Sequence, residues 1–197
     1  MQDRNIFFEK KKCQQKQLTV DHIATRCEER HDELVKCVHL HMARRYGFTN
    51  QSKISGYKPD PVLQNQNATI KADKHIATHS AISHNKPDIF IHDKANNEII
   101  IIEVGITNAE TLVKVEIEKA RKYTTLAEEL RLQLKATRTT IIPIVISWDG
   151  LVTRHHKKYL EKLNIPTNIQ AYLQTVAIKK TAEIIVIDGK ESQQSHS

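Results

Sequence analysis

The sequence is short of cysteine, has no long apolar run and carries no internal repeat. Each absence narrows what the protein can be. Three cysteines, Cys13, Cys27 and Cys37, are too few and too irregularly spaced for a disulfide scaffold, which points to a reducing compartment. No apolar stretch approaches the ~20 residues that a membrane-spanning helix needs. The opening MQDRNIFFEKKK lacks the apolar centre of a secretory signal, so the protein is expected to be soluble and intracellular.

What is present suits one domain. A chain of 197 residues with 39% hydrophobic and 27% charged residues can bury a sizeable core. A net charge of +7 favours a polyanionic partner such as nucleic acid, although many basic proteins bind none. Residues 1–27 are expected to be a basic arm, 28–190 the folded domain and 191–197 a disordered tail.

Local patterns predict the elements. Thr25-Arg26-Cys27-Glu28 has capping-box spacing. The helix it opens should run to about Tyr46 and stop at Gly47. Its apolar arc is Leu34, Val35, Val38, Met42 and Tyr46, with His31 inside the arc. Residues 49–66 read as a loop. Weak strands are expected at Ala68–Ala72 and His75–Ala81. A hairpin follows, Asp88–Asp93 and Glu98–Gly105 around Ala95-Asn96-Asn97. Its second arm is apolar on both faces, as in a central strand. One long helix is expected from Ala109 to Lys135, with an apolar arc including Leu112, Val113, Ile117, Tyr123 and Leu130. Thr140–Ser147 should be a buried strand, parallel to its neighbour, although Pro143 fits a central strand poorly. Trp148-Asp149-Gly150 reads as a turn. Helices near Thr153–Leu163 and Asn168–Lys180 and an edge strand at Ile184–Ile187 close the domain. The order implies an α/β domain of two or three layers with a mixed sheet.

The chemistry gathers at the hairpin. Asp88 follows Pro87 at the start of one arm, and Glu103 lies near the end of the other, with 14 residues between them. Antiparallel pairing can bring the two carboxylates to one end of the sheet. Two adjacent carboxylates repel, and a divalent cation such as Mg²⁺ relieves the repulsion. The plain alternative for Asp88 is a turn residue. Glu103 is harder to dismiss, because a charge among Ile99–Ile102 and Val104 needs a partner.

Pro87-Asp88, the hairpin gap and Glu103 resemble the PD-(D/E)xK nucleases, which have the restriction-endonuclease-like fold. That motif ends Glu-x-Lys, but here the last position is Gly105. Residues two apart on a strand share a face, so the lysine must come from elsewhere. Lys119, at the margin of the next helix's apolar arc, can reach over Gly105 and is favoured over Lys122. Lys122 has an alternative role as the i,i+4 partner of Glu118, and Lys119 one as a snorkelling edge residue. Glu116, near the middle of the arc, is read as an acid supporting the metal or as a partner of Lys119.

The chain is similar to a narrower group, the restriction-like endonuclease domain of non-LTR retrotransposons of the Dong and Entamoeba LINE types. Lys86-Pro87-Asp88, Glu103 and Lys119-Ala120-Arg121-Lys122-Tyr123 match that group's K/R-PD, acid and displaced K-x-x-K-Y. Cys13-x8-His22-x4-Cys27 matches the last three ligands of its zinc knuckle, and Arg30-His31 its Arg-His pair. Phe8–Lys12 stands where the first knuckle cysteine belongs, which leaves three zinc ligands where structural sites use four.

The resemblance spans about residues 13–165 and implies an Mg²⁺- or Mn²⁺-dependent endodeoxyribonuclease that nicks target DNA to prime reverse transcription, acting in the nucleus. It implies Asp88 and Glu103 as metal ligands, Lys119 and Lys122 as catalytic lysines, and Arg30, His31 and Lys86 as DNA contacts. Retrotransposon RNA and a reverse transcriptase are the further partners it implies. With no polymerase in the sequence, the chain is expected to be the detached tail of such a polyprotein, either a fragment or an independent small gene. Two other readings stand beside it: an inactive nucleic-acid-binding relic, and a junction-resolving nuclease of the same fold that acts as a dimer. His31 also reads as a core histidine. Asp32 and Glu33 suit a helix's first turn, or one of them is an extra active-site acid. Arg44-Arg45 and His155-His156-Lys157-Lys158 are phosphate-binding patches or solvated faces.

Overall fold

The computed structural model describes residues 28–194. The capping box at Thr25, the basic arm and the zinc-ligand candidates Cys13, His22 and Cys27 lie outside those residues. Helix α1 spans Glu28–Arg45. Its end follows from Gly47, which adopts φ 74°, a left-handed conformation that costs glycine little. The Phe48 N–H donates back to the Ala43 carbonyl at 2.8 Å and closes the last turn.

Five strands form one mixed sheet in the order β1 (Val62–Gln64), β2 (Ala68–Ala72), β3 (Ile89–Asp93), β4 (Glu98–Thr107) and β5 (Arg138–Ser147). The first four pair antiparallel, and β5 runs parallel to β4. The expected hairpin is β3–β4, with Ile89 opposite Ile102 and Asp93 opposite Glu98. Asn97 takes φ 53° in the turn, where asparagine tolerates the left-handed region. The parallel step from β4 to β5 needs a crossover, supplied by α2 (Leu112–Lys122) and α3 (Thr124–Gln133). Helices α4 (His156–Lys162) and α5 (Thr167–Gln194) complete the described chain.

Alternation along β4 divides the interior in two. Ile100, Ile102 and Val104 pack toward α1, α4 and α5, with Leu34, Leu160 and Leu173. Ile99 and Ile101 pack toward α2 and α3, with Tyr123, Leu126 and Leu130. Each fully buried aliphatic side chain contributes roughly 1.5–3 kcal/mol of burial free energy, so β4 is the spine of both cores. Both faces of the sheet are therefore covered by helices, giving three layers. Among the described residues, no helix is long and apolar enough to cross a membrane.

Six sequence expectations are corrected. The loop expected over residues 49–66 contains the edge strand β1 at Val62–Gln64. His75–Ala81 is not a strand; it belongs to the loop between β2 and β3. The single helix from Ala109 to Lys135 is two helices broken at Tyr123, whose φ of −108° and ψ of 15° leave the helical region. Strand β5 is the sheet edge rather than a central strand, which removes the objection to Pro143, because an edge tolerates a residue that cannot donate. Residues 184–187 are helical, inside α5, since a short apolar run without alternation serves a helix as well as a strand. The tail expected from 191 is helical through Gln194.

Val113 and Ile117 depart from the expected arc. They are 59% and 45% exposed, because α2 turns Leu112, Glu116, Lys119 and Tyr123 toward the sheet instead.

Candidate active site

The register of the hairpin builds the site. Continuing the β3–β4 pairing by one residue sets Asp88 opposite Glu103. The Asp88 N–H reaches Glu103 Oε2 at 3.4 Å, and the Val104 N–H donates to Asp88 Oδ2 at 2.7 Å. Glu103 follows Ile99 and Ile101 on the α2–α3 face of β4, so its carboxylate enters the layer beneath α2 and is 3% exposed.

Two lysines meet that buried charge. Lys119 Nζ donates to Glu103 Oε1 at 3.0 Å and Lys122 Nζ to the same oxygen at 2.7 Å. The path of Lys119 explains the glycine. A Cβ on Gly105 would stand 2.5 Å from Lys119 Cε and 2.9 Å from its Cδ, closer than real Cβ atoms approach. The lysine stem thus occupies the space that any other side chain at position 105 would fill. Lys122 does not take Glu118 as its partner; Lys114 lies nearest that acid, at 4.0 Å. Burial disfavours charge on Lys122, but Glu103 and Tyr123 outweigh it and hold its ammonium above the ordinary lysine value. Lys122 Nζ also sits 4.9 Å from the Tyr123 ring centroid.

The helix break at Tyr123 ties this face to the strand that carries Asp88. The Tyr123 hydroxyl donates to the Lys86 carbonyl at 2.8 Å, two residues before Asp88. The Lys86 ammonium points elsewhere, pairing with Asp73 at 2.7 Å, and is 42% exposed.

His31 approaches from the first turns of α1. Its Nε2 lies 3.2 Å from Asp88 Oδ2 and its Nδ1 3.5 Å from Asp32. Burial lowers the imidazole pKa, but the carboxylates of Asp32 and Asp88 more than offset it, against some opposition from Lys119, and raise it to about 9. Asp88 responds in the opposite sense. Burial alone would raise its pKa, yet His31, the Val104 N–H and Lys119 hold it below the usual carboxylate range. The pair is therefore an imidazolium and a carboxylate at neutral pH.

His31 is thus neither an inert core residue nor a free surface group. Arg30, matched to the same surface role, is fully buried and does not present its guanidinium to solvent. Glu116 does not pair with Lys119; the Thr153 hydroxyl donates to its buried carboxylate. In the 155–158 cluster, His156 turns into the core with neither ring nitrogen hydrogen-bonded among the described residues, and burial pushes its pKa down to about 4. Lys157 lies 3.9 Å from Glu161 on the exposed side of α4.

The structure therefore gathers Asp88, Glu103, Lys119, Lys122 and His31, and sets Glu116 against Thr153 instead. Sequence reasoning missed the Val104 N–H and the Tyr123 hydroxyl. The hairpin register carried the signal for the first, and the tyrosine next to Lys122 the signal for the second. Among the described residues, no group of three or more His, Cys, Asp or Glu converges as a metal cage. The donors for a lighter site are nonetheless present. Asp88 Oδ1 makes no hydrogen bond among the described residues, and Glu103 Oε2 has only the long contact from the Asp88 N–H. Carboxylate oxygens from the facing positions 88 and 103 are the hard donors that suit Mg²⁺ or Mn²⁺, which bind through one or two carboxylates and keep several waters. No protein-family model matches the chain, and no curated protein matches it.

Proposed function

We propose that the protein is a metal-dependent DNA endonuclease with a restriction-endonuclease-like domain. The observation that carries this reading is Lys119 lying across Gly105 to Glu103, beside Asp88. This supplies the acid, acid and lysine of the PD-(D/E)xK motif, with the lysine brought from a helix. Asp88 and Glu103 would hold Mg²⁺ or Mn²⁺, which when bound supplies charge stabilisation on the phosphate and a more acidic attacking water. His31 keeps Asp88 ionised and fixes the orientation of its Oδ2. Lys119 positions the attacking water or meets charge on the phosphate, and Lys122 keeps Glu103 neutralised while it does so. The net charge of +7 supports a DNA substrate, and the retrotransposon context, nuclear action and a polymerase partner belong to the same proposal.

One observation favours a second reading, a non-catalytic nucleic-acid-binding module. Both lysines already satisfy Glu103, as they would in a purely structural buried ion pair. Nicking of supercoiled plasmid separates the two. The endonuclease reading expects nicks that require Mg²⁺ or Mn²⁺ and vanish in Asp88→Ala and Glu103→Gln. Folded protein that retards DNA on a gel and never nicks it would leave the binding module in its place.

A further inference from the structure

We infer that the trough at the C-terminal end of α1 is a second nucleic-acid subsite, which seats one nucleotide of a single strand. The inference rests on the nucleic-acid reading above. The trough has two joined compartments. The first is a chamber of about 340 Å³ between α1, the loop after it and α5, floored by Cys37, Leu40, Ile54, Ile169 and Tyr172. That volume lies at the lower end of small-ligand pockets and suits one planar ring system. Tyr172 is 36% exposed, so its ring has an open face on which a base can stack. The second compartment is polar, lined by Arg44, Arg45, Thr49, Asn50 and Asn164. His41 and Arg44 line both compartments, and His41 is pinned there by its Nε2 contact to the Asn164 carbonyl at 3.0 Å.

Charge selects the occupant. Among the described residues, no aspartate or glutamate lines either compartment. The Arg44 side chain makes no hydrogen bond or ion pair among the described residues, so its guanidinium remains available to a phosphate. Arg45 is partly engaged, with its guanidinium over the Tyr46 ring at 5.4 Å and Nη1 3.4 Å from the Lys162 carbonyl. Basic residues in a last turn also complement the helix dipole. That role accounts for the arginines but not for the apolar chamber beside them. A base in the chamber with its phosphate on Arg44 uses both.

Helix α1 also sets the spacing. His31 meets Asp88 near one end, and Arg44 stands 13 residues along. At 1.5 Å per residue the two lie about 20 Å apart, roughly six stacked nucleotide steps of 3.4 Å. The trough would therefore grip a strand about half a helical turn from the carboxylates.

The test is fluorescence anisotropy with a labelled single-stranded oligonucleotide of about 12 nucleotides, without divalent metal, on the full chain. Tyr172→Ala should weaken binding about tenfold and leave the salt dependence unchanged, because it removes stacking. Arg44→Ala should reduce the slope of log affinity against log salt by about 0.7, because it removes one phosphate contact to a single strand. A purely structural role would not divide the effects in this way. Equal affinity and equal slope in both variants would overturn the inference. So would a mononucleotide that competes as well as the strand, because the trough would then hold a free nucleotide. The assay contains no metal and reads no cleavage, so failure of the subsite and failure of the nuclease reading are distinguishable.

Discussion

Lys119 and Gly105 occupy one space: the lysine stem lies where a Cβ at position 105 would be, and its ammonium reaches Glu103 at 3.0 Å. The missing side chain on the strand and the long side chain on the helix are two halves of one arrangement. Gly105→Ala tests it directly. The clash falls on the flexible end of a lysine, and Gly105 is not in a left-handed conformation, so folding should survive with a melting temperature within a few degrees of wild type. The lysine must move, and nicking should fall at least tenfold, as expected when a positioned catalytic group is displaced. Thermal melts and plasmid nicking on the same preparation check both halves.

The two lysines share one buried oxygen, so they should back each other up in stability but not in catalysis. Lys119→Ala leaves Glu103 paired with Lys122 and should lower nicking about 10²-fold with a small loss of stability. The double variant Lys119→Ala/Lys122→Ala leaves a buried carboxylate without compensation and should cost about 3–5 kcal/mol. Urea unfolding of the single and double variants measures the difference.

The His31–Asp88 pair predicts a definite pH dependence. Folding raises the His31 pKa from 6.5 to about 9, so its contribution is fully present below pH 6.5 and is lost as pH rises through about 9. The Asp88 pKa is lowered from 3.8, so its contribution is present above that value and is lost only as pH falls through the depressed one. His31→Gln should therefore destabilise the protein at pH 6, by about 1 kcal/mol for so partly exposed a pair, and have no effect near pH 10. A stability gap between wild type and variant that persists at pH 10 would contradict the imidazolium assignment.

Metal binding gives a readout independent of cleavage. A cation held by Asp88 and Glu103 binds only the folded protein, so wild type should melt at higher temperature in millimolar Mn²⁺ or Mg²⁺. Asp88→Asn should lose that shift, and EDTA should abolish it in wild type. An equal shift in the variant would place the cation elsewhere.

Glu116 provides a check away from the chemistry. Its carboxylate is buried against the Thr153 hydroxyl, so Thr153→Val should leave the acid short of a donor and cost about 1–3 kcal/mol, with nicking unchanged after correction for the folded fraction.

The β3–β4 hairpin and its acids were legible in the sequence for a physical reason. Alternation with a period of two fixes register, and an acid among isoleucines demands a partner. The displaced lysine followed from the empty position at Gly105. The rest was hidden by non-local packing. A helical wheel assumes one continuous helix, and the break at Tyr123 invalidates it. It also ranks residues by hydrophobicity, whereas α2 is oriented by the polar demands of Glu116 and Lys119, which leaves Val113 and Ile117 outside. Whether an apolar run becomes strand or helix, as at 184–187, depends on whether a sheet edge is free to receive it. Here the β5 side of the sheet carries Pro143 instead.

The interruption at Tyr123 separates two hereditary liabilities. Every residue that points a lysine at Glu103 lies before it, on the 11 residues of α2, and a single insertion there would swing the lysines about 100° away. Beyond it, α3 only packs against the sheet and returns the chain to β5. A change of length within that second segment would swing Leu126 or Leu130 out of the core without turning the lysines from Glu103. A change of length before Tyr123 thus acts on the chemistry first, and one after it acts on the core first.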